Sequence, residues 1–468
     1  MGDQITAKIV FTQEANEECE QYMYRTDNFI DAAGGLIRVI SKEAFQTFYA
    51  ITKENDDAKE LSREDIEYYC SLDPKEITLD KFIDIFGDTR DITLDGHSAK
   101  KKVSKINTYD VITITKADYP YVDGKVTTTI GRLIFYKIMI ERTGLTDIVP
   151  FTNVTMTAKN YKKLERAVTD ALMDGKINTR TIIKYIDTRD WFGLEMHGVI
   201  TTSFSPDIIK MPKEVKELKK KLIAENKEAI EKGDPKVVDG IAKQLIDKEM
   251  EVMQGDYGLD VFTSGARGSV DNHLKNIILM RGATYNSATN RYDVIVNSLF
   301  EGLEKSDIPT HANTLTQGAY PKAVGTQTSG YLSKELIAAM QAERLSQDQN
   351  SDCGTDKTIT VELTEANIRD FLYRYIKEGK ELIHLNNENK SKYIGKTVKM
   401  RSPLFCRGVG DSHVYCSRCF GTQYYITNKE NVGLLSSVTS GTVSNLNLQK
   451  FHENEVKLTH IDIEDMLI

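Results

Sequence analysis

Cys406-Arg407-Gly408-Val409-Gly410-Asp411-Ser412-His413-Val414-Tyr415-Cys416-Ser417-Arg418-Cys419-Phe420-Gly421 is the stretch from which the fold of the C-terminal third can be read. Cys416 and Cys419 form a C-x-x-C turn, which brings two thiols to one place. Cys406 lies ten positions before Cys416, and Cys353 lies 53 positions before Cys406. Two close thiolates plus two delivered by the fold make the tetrahedral sulfur set that zinc prefers. Gly408, Gly410 and Gly421 supply the backbone freedom that such knuckles need. A second ligand set, Cys406, His413, Cys416 and Cys419, fits the spacing as well. A redox-active or simply buried C-x-x-C is a third reading. Either four-ligand set is filled by protein, so the metal would be structural, with no open catalytic position. The chain has six cysteines, with Cys19 and Cys70 far from this group. So sparse a usage suits a metal better than a disulfide framework.

Upstream, residues 302–344 divide in two. Tyr331 to Arg344 reads as a helix, whereas the part before it carries Gly318, Pro321, Gly325 and Gly330. An interior glycine costs about 1 kcal/mol relative to alanine and a proline about 3. Propensity therefore predicts a loop there, and a long helix would need tertiary support and would bend near Pro321. Further upstream, residues 212–253 place Val215, Leu218, Leu222, Ala229 and Ile230, then Val238, Ile241, Leu245 and Met250, near helical spacing on either side of Gly233-Asp234-Pro235. This pattern predicts two amphipathic helices folded back at the break, with lysines and glutamates on the solvated faces. Residues 107–130 are rich in Thr, Val, Ile and Tyr and predict strands with a turn at Asp123-Gly124. The expected class is α+β, mainly helical.

Bulk properties narrow the possibilities. The 468 residues, 40% hydrophobic and 28% charged, are those of a globular chain of about three domains. A net charge of −8 does not mark a stand-alone nucleic-acid binder, which usually carries a basic domain. The greasiest run, Leu133 to Ile140, is broken by Lys137 and falls short of the ~18 apolar residues of a membrane span. Met1-Gly2-Asp3-Gln4 lacks the opening of a signal peptide. No nucleotide-binding glycine motif of the G-x-x-x-x-G-K or G-x-G-x-x-G type is found.

Five ordered segments give a more specific reading. They are Thr128-Thr129-Ile130-Gly131-Arg132-Leu133; Ser264-Gly265-Ala266-Arg267-Gly268-Ser269 with Met280-Arg281-Gly282; Phe300-Glu301-Gly302-Leu303 through Ser329-Gly330-Tyr331-Leu332; Asp352-Cys353-Gly354-Thr355 with Arg401-Ser402-Pro403-Leu404-Phe405-Cys406 and Cys416 to Gly421; and Val432-Gly433-Leu434-Leu435 through Phe451-His452. In this order and spacing the chain resembles the C-terminal part of the largest (β′) subunit of multisubunit DNA-dependent RNA polymerases, in the split form found in large (jumbo) bacteriophages. The resemblance covers residues 126–452.

The resemblance implies a bridge helix across the third segment and a trigger helix opening in the fifth. It also implies rim helices of the substrate channel at 212–253, and Cys353, rather than His413, as the fourth zinc ligand. Arg267 would meet the incoming triphosphate, a task that suits a forked, permanently charged guanidinium. Thr326 and Gln327 would face the base pair in the active site, although Gln327 replaces the usual alanine. Asn445, Leu448, Gln449 and His452, three or four apart, share one face of a helix that Ser444 could cap. Leu448 would pack on the base, Asn445 approach the ribose, and His452 place a proton or positive charge near the leaving pyrophosphate. Gln449 stands where an arginine is common.

The family's magnesium loop, N-A-D-F-D-G-D, is absent from this sequence. The resemblance therefore implies that Mg2+ is held mainly by a partner, an N-terminal β′ fragment bearing that loop. Further implied partners are β-like chains, DNA template, nascent RNA and nucleoside triphosphates, with no membrane, in the cytoplasm of a bacterial host. The segments divide as a divergent region 1–125, a pore region 126–262, the arginine loop and bridge helix 263–345, a zinc region 346–430, and a trigger start and tail 431–468. By the resemblance, the region of the second trigger helix, jaw and clamp segment is either drastically shortened or supplied by another polypeptide. The competing expectation is a non-catalytic zinc-stapled scaffold or transcription regulator built on the same fold.

Overall fold

The computed structural model describes residues 9–22, 35–86, 92–94, 97–99, 106–200, 206–286, 289, 291–320, 326–426, 431–438 and 440–441. These fall into two units, each assembled from separate stretches of chain. Helices and small, mostly antiparallel sheets make up both, in keeping with an α+β chain.

The larger unit takes in residues 40–163 and 187–331. One of its cores forms around the helix Lys42–Thr52, whose first turn is capped by Ser41 Oγ, 3.1 Å from Ala44 N. Phe48 is fully buried there, with its ring 5.2 Å from Phe135 and 5.6 Å from Phe192. The expected strands are Val111–Thr115 and Lys125–Thr129, paired antiparallel from Val111↔Thr129 to Thr115↔Lys125, but the chain turns between Thr115 and Val122 rather than at the expected Asp123-Gly124. The second strand runs directly into the helix Ile130–Tyr136, every residue of which is buried. Arg132 is buried with its charge spent. Its guanidinium donates to Glu54 Oε1 at 2.6 Å, Asn153 Oδ1 at 3.0 Å, Thr155 Oγ1 at 2.9 Å and the Thr52 carbonyl at 3.0 Å. This arginine clamps strand, helix and loop together.

A second core in this unit is helical. Val215 and Leu222 of the helix Lys213–Glu225 meet Val238, Ile241 and Leu245 of the helix Pro235–Val252, with Leu274, Ile278 and Leu279 closing the cluster. Asp234 caps the second helix and Pro235 opens it, where its missing N–H costs nothing. Gly233 is required between them. Its φ is +71°, and a Cβ would stand 2.1 Å from the Tyr292 carbonyl oxygen. Met250, read from the sequence as part of the apolar face, is instead 39% exposed.

Around Pro321 the propensity reading is corrected. Helices Ile308–Tyr320 and Thr326–Met340 lie on either side, including Gly318 and Gly330, while residues 321–325 are outside the described residues. Packing explains the first of these. The helix Ile308–Tyr320 lies against the strand Gly282–Asn286, and Thr310 Oγ1 donates to Asp293 Oδ2 at 3.1 Å. Tertiary contact outweighs an intrinsic cost of this size.

The smaller unit takes in residues 164–186 and 332–441 with the described residues before 40. Its largest sheet has the strand order Glu381–His384, Tyr375–Glu378, Lys396–Met400, Ile359–Leu363, all antiparallel. A short parallel pair, Arg344–Leu345 with Val414–Tyr415, fixes the backbone just before Cys416.

Candidate metal centre and arginine loop

Cys406 follows a 3-10 turn, Pro403–Phe405, and Cys416 follows the strand Val414–Tyr415 at the head of the helical turn Ser417–Phe420. The stretch carrying Cys353 is tied to that turn twice. Ser417 N donates to Ser351 Oγ at 3.0 Å, and Ser417 Oγ donates to the Ser351 carbonyl at 2.9 Å. Gly408, at φ +80°, makes the knuckle possible, because a Cβ there would meet the Asp411 carbonyl oxygen at 2.2 Å.

The Sγ atoms of Cys353, Cys406, Cys416 and Cys419 all lie within 4.8 Å of one another. Cys353 and Cys419 are 3.6 Å apart, and Cys406 and Cys416 are 3.8 Å apart. Zinc–sulfur bonds of about 2.3 Å set tetrahedrally require sulfurs roughly 3.8 Å apart. The four thiols therefore fit a zinc ion and could hold one. His413 stands outside the group, with Nδ1 2.8 Å from Glu343 Oε1, so Cys353 completes the set.

The thiols differ in state. The neighbouring Cys419 holds Cys416 down to about 5, the same coupling together with burial pushes Cys419 up, and burial pushes Cys406 up. Cys416 N donates to Cys406 Sγ at 3.4 Å. Arg401, almost fully buried, sets Nη2 3.2 Å from Cys419 Sγ and 3.6 Å from Cys353 Sγ, and is held there by Asp352 at 2.6 Å. A guanidinium in this place offsets the excess charge of four thiolates around a divalent ion. Arg401 sits in a segment singled out by resemblance, but spacing gives it no role. Only the fold brings it to the sulfurs.

Arg267 occupies a loop that follows the helix Tyr257–Ser264, which is capped by Asp256 at its start and ended by left-handed Gly265. Its side chain is 41% exposed, and Nη1 donates to Glu43 Oε1 at 2.6 Å. That bond holds the Glu43 carboxyl below its usual range. Beside the pair lies a cavity of about 310 Å³, lined by Lys42, Arg267, His273 and the apolar Ile208, Phe262 and Ile277. His273 Nδ1 accepts from Ser269 N at 3.1 Å, and its ring stacks 6.0 Å from Phe262. Glu43, Lys42 and His273 were invisible to sequence reasoning, since 224 residues separate Glu43 from Arg267 and no motif links them.

Of the remaining expected site residues, Gln327 is exposed in the first turn of the helix that Thr326 begins. Asn445, Leu448, Gln449 and His452 lie outside the described residues.

No protein-family model matches the chain. It is similar along nearly its whole length to DNA-directed RNA polymerase subunit beta' of several bacteria. With that of Nitratiruptor sp. it is 22% identical over 508 residues, covering 96% of this chain and 30% of the relative. With that of Clostridium kluyveri it is 24% identical, covering 97% and 40%. With that of Caldicellulosiruptor saccharolyticus it is 26% identical, covering 96% and 40%. The chain thus spans 30–40% of the length of these curated relatives.

Proposed function

We propose that this chain is part of the β′ subunit of a DNA-directed RNA polymerase, and that it furnishes walls of the nucleotide site and substrate channel. The observation that carries the reading is similarity to bacterial β′ subunits over 96–97% of the chain, with the motifs in family order. In this reading the helices Ile308–Tyr320 and Thr326–Met340 are the two arms of the bridge helix, and the helices between Lys213 and Val252 form the channel rim. Residues 445–452 close over the nucleotide as the trigger helix. The subunit is a split, phage-encoded form at work in a bacterial cytoplasm.

Nucleotidyl transfer joins a 3′-hydroxyl to an α-phosphate and expels pyrophosphate. Aspartates of a partner chain would hold magnesium, which would supply charge stabilisation for the transfer. The residues of this chain bind and orient. Arg267 takes the triphosphate by exchanging its Glu43 partner for phosphate oxygens. Leu448 stacks on the base, Asn445 reaches the ribose, and His452 donates toward the leaving group. Gln449 supplies an amide where a fixed charge is common. Thr326 and Gln327 flank the base pair. Zinc at the four cysteines would staple the region without entering the chemistry.

A second reading, a zinc-stapled scaffold or transcription regulator without catalysis, draws on the absent aspartate loop and on an Arg267 already neutralised within the chain. Primer extension by the assembled complex separates the two. The proposal expects ribonucleotide addition from the native complex, and expects His452→Ala to slow it by about a hundredfold while assembly stays intact. Unchanged elongation in that variant would remove the trigger-helix assignment. No synthesis by any native complex would leave the scaffold reading standing.

A further inference from the structure

A second cavity, of about 430 Å³, opens in the smaller unit beside the zinc knuckle. Met340, Pro403, Phe420, Tyr424 and Val432 give it a mainly apolar wall. Two charged residues line it, and they differ in state. Glu343 is committed to His413 Nδ1 at 2.8 Å. The Arg374 guanidinium lies 5.8 Å from the Phe371 ring, and its Nε is buried without a hydrogen-bond partner. Asp370 and Tyr424 lie close enough to attract it but do not bond it. A half-buried guanidinium with a buried Nε–H left without an acceptor is costly to leave uncompensated.

At the rim stands Leu404, 80% exposed. It is not a loose side chain. Leu404 N donates to Ser402 Oγ at 3.3 Å, and Cys406 N closes the turn on the Pro403 carbonyl at 3.0 Å, so the hydrogen-bonded turn holds this leucine outward. The face therefore presents a fixed apolar knob, an apolar hollow and an unsatisfied cation side by side.

We propose that this face receives a segment of a partner polypeptide that lays apolar side chains over Leu404 and Phe420 and sets an aspartate or glutamate carboxylate on Arg374. Charge complementarity selects an acidic segment, because the one carboxylate lining the cavity among the described residues is already engaged, while Arg374 Nε has no hydrogen-bond acceptor. A small carboxylate could satisfy Arg374 but would leave Leu404 in water, whereas a chain segment covers both. The inference goes beyond the catalytic reading and does not depend on nucleotide addition.

The test uses the full chain in its native complex, with Leu404→p-benzoylphenylalanine as a photocrosslinker and mass spectrometry of the crosslinked peptides. The expected product joins this chain to a different polypeptide at a peptide with Asp or Glu beside apolar residues. Adding Arg374→Met should cut its yield about tenfold, with zinc content unchanged as the readout of intact folding. The proposal is overturned by crosslinks confined to this chain or to a second copy of it, by a crosslinked peptide without acidic residues, by no crosslink at all, or by a yield indifferent to Arg374→Met. Nucleotide addition is not read in this test, so its outcome is separate from that of the polymerase reading.

Discussion

Arg267 and Glu43 set the terms at the scale of single residues. An ion pair about half exposed to water contributes up to roughly 1 kcal/mol, so an incoming polyphosphate can displace it. Glu43→Gln should lower the KM for nucleoside triphosphate in primer extension by up to about fivefold, and Arg267→Ala should raise it. A KM unmoved by either change would detach the loop from the substrate. Glu249 makes a different prediction. It is fully buried in the helix Pro235–Val252, both carboxylate oxygens lack a hydrogen-bond partner, and burial alone pushes it from 4.5 up to about 7. The folded state therefore takes up a proton that the unfolded chain has lost. Stability is kept below the unfolded value and falls as pH rises toward the folded one. Denaturant unfolding should show Glu249→Leu gaining about 3 kcal/mol on the wild type between about pH 5 and about pH 8. Parallel stability curves would contradict that account. Residue identities such as Arg267 and the four cysteines were legible in the sequence because their types carry chemistry. Their partners Glu43 and Arg401 were not, since hydrogen bonds across tens or hundreds of positions leave no periodic trace.

At the scale of elements, legibility tracked local chemistry. The break at Gly233-Asp234-Pro235 could be read because glycine and proline state their backbone geometry directly. The helix Ile308–Tyr320 could not, because threonines and a glycine give it poor propensity and a neighbouring strand supplies the support. The strand Tyr375–Glu378 is preceded by Tyr373 at φ +65°, a left-handed tyrosine that no sequence rule anticipates. Its hydroxyl bonds Asp174 at 2.9 Å, and its buried ring fixes a conformation that glycine would adopt more readily. The zinc knuckle is the element with the sharpest test. Cys416→Ser should abolish stoichiometric zinc on elemental analysis and lower thermal stability by several degrees, because metal binding and folding are one equilibrium in such sites. Native protein free of zinc, or a variant equal to it in both readouts, would refute a four-thiol centre.

The whole molecule is where sequence reading stops soonest. Each unit draws on stretches far apart in the chain, so contiguous segments do not describe the cores. This chain spans only 30–40% of the length of its curated relatives. Its acidic balance, −8 overall, suits a component whose nucleic-acid-binding charge is supplied in part by neighbours. No N-A-D-F-D-G-D loop lies anywhere in the sequence, so the proposed function requires one from a partner. Native mass spectrometry of the purified complex is therefore the most direct measurement. The account predicts a stoichiometric companion chain that carries the N-A-D-F-D-G-D loop. A solitary monomer, or a complex in which no subunit holds those aspartates, would contradict it.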